Sequence, residues 1–437
     1  MAFKRYVQAR NWPVVAGYLL FIGMMAVGYF YNVTFVQLGL KDLGERVLSL
    51  PPATVAQQMA VLALLTCVVA LVTGHGMQRS GWSRRFLLKL QLALVVVAVQ
   101  TVLTAVAPLL RSPVAFWVWI VFGSLALGVG VPVTFSLTTD LIPVRDRGYV
   151  AAAITAVAYF LAAVFSNPWQ IEALGQRMLL LLIPGAVGLG IIVLLATAGR
   201  TFVAQWVWEL SQNHQQAHFA YGRFLRPERV KRTHPNWRFW LFAGLMFGIF
   251  FIDSLGFLRI VDTPILVAGA WRAAAPTPRL MIGIFHVVAA LIAGVMYTNL
   301  SQRHLFLWIF GLFTLTHFSY ALSVWLLPET TIHGLGTPML YATAVSLYTV
   351  VNFALWADFA TPQTISWKTA VGVAFSGWMA TFLSTAVAMR WQTNGLPLSE
   401  HLRFVESLAL VFLLFMLLAA IWPLRLSGEQ EAELNRQ

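Results

Sequence analysis

Charge is scarce in this sequence. Asp, Glu, Lys and Arg make up 10% of its 437 residues, against about 25% in a soluble globular domain. With a hydrophobic share of 59% and a mean hydropathy of +0.75, that scarcity excludes a water-soluble globular protein. Cysteine is scarcer still: the single Cys67 sits inside an apolar run and excludes an intrachain disulfide. Also missing are Gly-x-x-x-x-Gly-Lys, His-Glu-x-x-His and Gly-x-Ser-x-Gly, so neither ATP hydrolysis nor intramembrane hydrolysis is indicated. The chain reads as a non-enzyme without cofactor or metal, and any transport it performs is driven by a gradient.

What the sequence has in abundance is long apolar runs. A helix needs about 20 such residues to cross a hydrocarbon core of about 30 Å. Twelve runs meet the requirement, from Pro13 to Phe35, Val55 to Val72 and onward to Leu402 to Trp422. Their unbroken hydrophobicity, as in Leu92 to Ala107, argues against the alternating strands of a barrel. The expected fold is an all-α polytopic membrane protein of twelve transmembrane helices in two six-helix pseudo-repeats. Residues 1–198 form the first half, 199–236 a linker, and 237–437 the second half with a short tail.

The net charge of +13 is topological. Most of the Lys and Arg, among them Arg79, Arg84, Arg85, Arg145, Arg223 and Arg232, fall on the side that holds both termini and the linker. This positive-inside bias places that side in the cytoplasm and needs no nucleic-acid partner. The first run is too long for a signal-peptide core and lacks a small-residue cleavage site, so it is expected to be retained as a span. Trp206 and Trp208 beside the basic run of the linker suit either a segment lying on an anionic inner leaflet or a solvated tether.

A short basic hinge, Gly74 to Arg85, separates the second and third runs, and Gly294 to Phe306 repeats its Gly-to-Phe spacing. Laying Trp237 on Trp12 brings Gly248 onto Gly23 and Asp253 onto Gly28. The end of the tenth run mirrors the fourth, with Asp358 on Asp140 and Lys368 near Arg147. Matches in register at several places indicate a duplicated architecture.

The hinge residues Gly74, Arg79, Gly81, Arg84 and Arg85 resemble the signature loop of the major facilitator superfamily, Gly-x-x-x-Asp-Arg-x-Gly followed by basic residues. Gln78 stands where that family has its aspartate. Thr138 to Gly148 resembles the family's link between helices four and five. The resemblance implies alternating access, with a cytoplasmic gate of Gly74, Gln78, Arg79, Gly81, Arg84, Arg85, Asp140, Arg147 and Asp358. Asp140, Arg147 and Asp358 are the expected partners of the hinge arginines, and the missing aspartate implies a looser closure there. Ser124 replaces an arginine found in many proton-coupled members, and the fifth span lacks the Gly-Pro-Gly pattern of the drug/proton antiporters.

Only one acid, Asp253, lies well inside a run, and a carboxylate in hydrocarbon must be protonated, paired or wet. His286 enters the eighth run to a similar depth, so the pair is the candidate proton-coupling site. The alternative is a structural acid bonded to a neighbouring helix. Asn32, Tyr159, His317, Tyr348 and Asn352 are candidates for a substrate cavity. The expected activity is proton-coupled efflux of a small organic or amphipathic solute by a monomer in a prokaryotic inner membrane. Uptake of a sugar-like nutrient, or a non-transporting scaffold, are the alternatives.

Overall fold

Once water is excluded, a run of Leu, Val, Ala and Phe satisfies its peptide groups only within itself, and so it folds as a helix. The computed structural model describes residues 2–225, 237–326 and 334–421 and holds twelve helices of spanning length among them. They are α1 (Trp12–Val47), α2 (Pro52–Arg79), α3 (Phe86–Leu109), α4 (Pro113–Leu141), α5 (Val144–Phe165) and α6 (Ile171–Thr197). The second six are α7 (Trp237–Val261), α8 (Pro276–Asn299), α9 (Gln302–Leu326), α10 (Gly336–Asp358), α11 (Ile365–Thr393) and α12 (Leu398–Leu418). No strand occurs among the described residues. The basic residues Arg226, Arg229, Lys231 and Arg232 and the C-terminal tail lie outside them.

Helix packing repeats. α1 lies on α5, α2 on α4, and α3 on α4 and α6; α7 lies on α11, α8 on α10, and α9 on α10 and α12. These are the same pairings moved by half the chain, the mark of two six-helix pseudo-repeats. The halves meet along two seams, α2 with α11 and α5 with α8, which the same displacement interchanges.

Each seam closes on a glycine. A Cβ on Gly74 of α2 would sit 2.6 Å from the Ala370 Cβ of α11, and one on Gly294 of α8 would sit 2.6 Å from the Ala152 Cβ of α5. Gly74 and Gly294 are the two positions matched by the repeated hinge spacing. Their absent side chains let backbones of opposite halves touch where dispersion contacts, not a hydrophobic driving force, hold membrane helices together.

Two spans are longer than hydropathy suggests. α1 continues past Phe35 to Val47 because its late charges are paired: Arg46 with Asp42 at 2.7 Å and with Glu172 at 2.5 Å, and Lys41 with Asp262 of the other half. α2 continues through Gly74, Gln78 and Arg79, so the expected hinge shrinks to Ser80–Arg85, where Gly81 takes φ +71°. That left-handed backbone is the one place in the loop that requires glycine. α1 and α11 each contain a π-helical stretch, Tyr31–Gly39 and Ala370–Met379, of the kind often found beside functional cavities.

The described part of the linker is folded onto the bundle. Thr201 caps the helix Phe202–Gln212, and Trp206 donates its indole N–H to the Pro13 carbonyl at 2.8 Å. Trp12, Trp208, Trp237 and Trp308 are exposed around this basic end, the position of an interfacial aromatic belt.

Candidate functional site

α10 carries hydroxyls and amides among its aromatics, a pattern tolerated in a membrane only where the helix faces protein or a wet cavity. Its central window is 83% buried, against 17% for the peripheral α6, so α10 stands at the middle of the bundle. Beside it lies a cavity of about 590 Å³ between the halves.

Asp253 of α7 reaches this cavity and is 8% exposed. Tyr341 donates its hydroxyl to Asp253 Oδ1 and Tyr348 donates to Oδ2, both at 2.6 Å. The tyrosines are seven residues apart on α10, two helical turns, and so present both phenols to one carboxylate. The Asp253–His286 contact expected from depth is absent. His286 Nδ1 instead shares a hydrogen bond of 2.8 Å with Ser346, and its ring stacks on Tyr159 with centroids 4.5 Å apart. Both residues line the same cavity, but α10 supplies the partner of each.

A second hydroxyl cluster links the halves. Tyr29 of α1 and Tyr159 of α5 lie 2.9 Å apart through their hydroxyls, and Tyr159 lies 3.2 Å from Thr349 Oγ1 of α10. Asn32, Tyr159, Tyr348 and Asn352 all line the cavity, and Asn352 Oδ1 accepts from the Trp356 indole at 2.9 Å. His317 does not line it. Its ring fills the space left by Gly256 on the far side of α7, where a Cβ would meet it at 2.4 Å, and stacks on Phe313. The depth of a residue in a span does not say which face it occupies, which is why this candidate fails.

At the basic end the expected gate residues come together with different partners. Arg147 of α5 donates to Asp358 Oδ1 at 2.9 Å, to the Ala357 carbonyl at 2.9 Å and to the Phe219 carbonyl at 2.8 Å. Tyr297 of α8 donates to the other oxygen of Asp358 at 2.7 Å. The linker backbone lies directly on this group, since a Cβ on Gly222 would sit 2.3 Å from the Asp358 carbonyl oxygen. Asp140 pairs instead with Lys89, both side chains fully buried, and its other oxygen lies 3.3 Å from His214 Nδ1 of the linker; nothing from the hinge reaches it. Lys89 therefore belongs to the interior and not to the loop cations.

Of the hinge arginines, Arg84 donates to Gln363 at 2.6 Å, while Arg79 and Arg85 are exposed and form no ion pair among the described residues. Gln78 is partly buried, with its Oε1 unpartnered. Closure on this seam comes from Gly74 packed on α11, a Ser83–Ser366 hydroxyl contact, and Ser366 donating to the Gly74 carbonyl at 3.3 Å.

No family model matches this sequence, and no curated protein matches it. Solved structures do match in shape. The human organic anion transporter MFSD10 (TETRAN) superposes with a TM-score of 0.61 at 14% identity, covering 92% of this chain and 99% of that one. The xylose transporter XylE from E. coli, in a partially occluded inward-open conformation, gives 0.59 at 14% identity over 92% and 98% of the two chains. The proton:xylose symporter XylE bound to 6-bromo-6-deoxy-D-glucose gives 0.56 at 15% identity over 94% and 95%. This chain has the major facilitator fold.

Within the major facilitator fold, the residues that sequence reasoning missed are Tyr341, Thr349, Ser346 and Lys89. The Tyr341–Tyr348 spacing was the available signal for the first. For Lys89 there was none, because a cation one turn into an apolar run also reads as a headgroup anchor.

Proposed function

We propose that the chain is a secondary transporter that moves a small amphipathic solute by alternating access, with Asp253 as the site where proton and solute compete. The observation that carries the reading is a single buried carboxylate, held by two phenols, in a cavity with no Lys or Arg among its lining residues. Such a site accepts a proton or an organic cation, one at a time, and exclusive occupancy is the requirement for exchange of one against the other. The other titratable groups on the cavity are Tyr29, Tyr159, Tyr341, Tyr348 and His286, and none supplies a second charge of the needed kind at Asp253.

The lining speaks against an anion, although MFSD10 is described as an organic anion transporter. The cavity surface is mainly apolar, which suits an amphipathic solute better than a sugar. The charge bias supports a basic end in the cytoplasm, and in a prokaryotic inner membrane with an inward proton gradient, exchange at Asp253 would run as efflux. The closed basic end supports a gate of Arg147, Asp358 and the Gly74 seam. The two six-helix halves act as the moving units.

The test is binding of a lipophilic amine to the purified protein at a series of pH values. Binding is expected to weaken as pH falls through the protonation of Asp253, because the neutral carboxyl no longer attracts the ammonium. Asp253→Asn is expected to give weak binding at every pH. Equal pH dependence in the variant would defeat the assignment.

A further inference from the structure

The central cavity does not end at its polar middle. It runs on between α1 and α6, where Leu19 and Gly23 of α1 and Pro184, Gly185 and Gly188 of α6 line it. At its glycines the stretch is empty: a Cβ on Gly23, Gly185 or Gly188 would meet nothing within 4 Å. Leu19 of this lining is 63% exposed, which brings the gap to the outer flank of the bundle.

The other half provides an internal control. In the second half the corresponding contact is between α7 and α12, where Phe412 of α12 packs on Gly248. There the phenyl ring lies 2.6 Å from where a Gly248 Cβ would be, and α7 is closed against α12. The contact between first and last helix is plugged by an aromatic ring in one half, whereas in the other the glycines Gly23, Gly185 and Gly188 meet no side chain.

Because the surrounding outer surface is apolar, with Leu180, Ile183, Ile191 and Leu194 exposed, the opening faces acyl chains and not water. At its inner end stand the Asp253 carboxylate and Asn32 Oδ1, a buried acceptor without a partner. Phe250, Phe257 and the four cavity tyrosines surround them, and ring faces attract an ammonium.

We propose that the gap between α1 and α6 is a lateral portal from the bilayer, and that its occupant is the alkyl tail of an amphiphile whose protonated amine sits at Asp253. This deepens the transport reading by naming a substrate class and a route. Binding through the portal can nevertheless be measured without flux.

The test uses the full chain in nanodiscs and a long-chain alkylamine with a photoreactive diazirine at the end of its tail. Adducts are expected on α1 and α6 beside Gly23 and Gly188. Labelling there is expected to fall at least about tenfold in Gly188→Phe, which fills the gap, and in Asp253→Asn, which removes the anchor. Gly23→Leu from the facing helix should repeat the first result, so that a folding defect in one variant, checked by thermal unfolding, does not decide the matter. Unchanged labelling in both gap-filling variants overturns the portal. Unchanged labelling in Asp253→Asn shows annular contact of tails alone and overturns the site. Specific labelling without flux in liposomes leaves the portal standing and removes the transport reading.

Discussion

Two buried charges behave differently because their partners differ. Asp253 is held by phenols, which stabilise its charge without cancelling it, whereas Asp140 is cancelled outright by Lys89. Lys89→Met should leave the buried carboxylate with only His214 beside it and cost up to roughly 3–5 kcal/mol. Most of that loss should return in the double variant Lys89→Met/Asp140→Leu, which restores neutrality; a thermal-unfolding comparison in detergent checks both. Tyr341→Phe and Tyr348→Phe each remove a hydrogen bond to a charged group, worth about 1.5–3 kcal/mol, and should weaken amine binding less than Asp253→Asn does. Asp253 was legible in the sequence because a lone acid in an apolar run announces itself. Tyr341 and Lys89 were not, since their meaning depends on carboxylates carried by other helices, α7 and α4; the two-turn spacing of Tyr341 and Tyr348 marks a shared face but not what that face meets.

At the scale of the helix, the twelve spans were legible because each needs only its own residues to satisfy its backbone. The ends were less so. α1 overran its expected boundary on charges whose partners Glu172 and Asp262 lie elsewhere, and α2 ran through the expected hinge because Gly74 serves packing and not a turn. The repeated Gly-to-Phe spacing nevertheless marked the two helices, α2 and α8, that close the seams. Gly74→Val and Gly294→Val should each overpack a seam at a cost of about 1–3 kcal/mol to the closed basic end. Cysteines introduced on that end should then react faster with a water-soluble maleimide than in the parent. Equal rates in both variants would show that the seams do not separate.

Across the whole molecule, the duplicated packing makes each half a unit, and the ties between halves at the basic end are identifiable, among them Arg147 with Asp358, the Gly222 backbone on that pair, Arg84 with Gln363, and the Gly74 and Gly294 seams. Arg147→Leu leaves Asp358 buried with only its tyrosine, so the variant should favour the state open at the basic end. Maleimide labelling there is expected to rise while labelling at the opposite end falls. The central claim is that one buried carboxylate couples a proton to an amphipathic cation moving between these halves. Its most direct measurement is proton movement in sealed proteoliposomes, followed with a trapped pH dye, when a lipophilic amine is added on one side. Amine-dependent proton flux in the parent protein that disappears in Asp253→Asn is the predicted result. Flux of the same size in the variant, or amine movement with no proton flux in the parent, would contradict it.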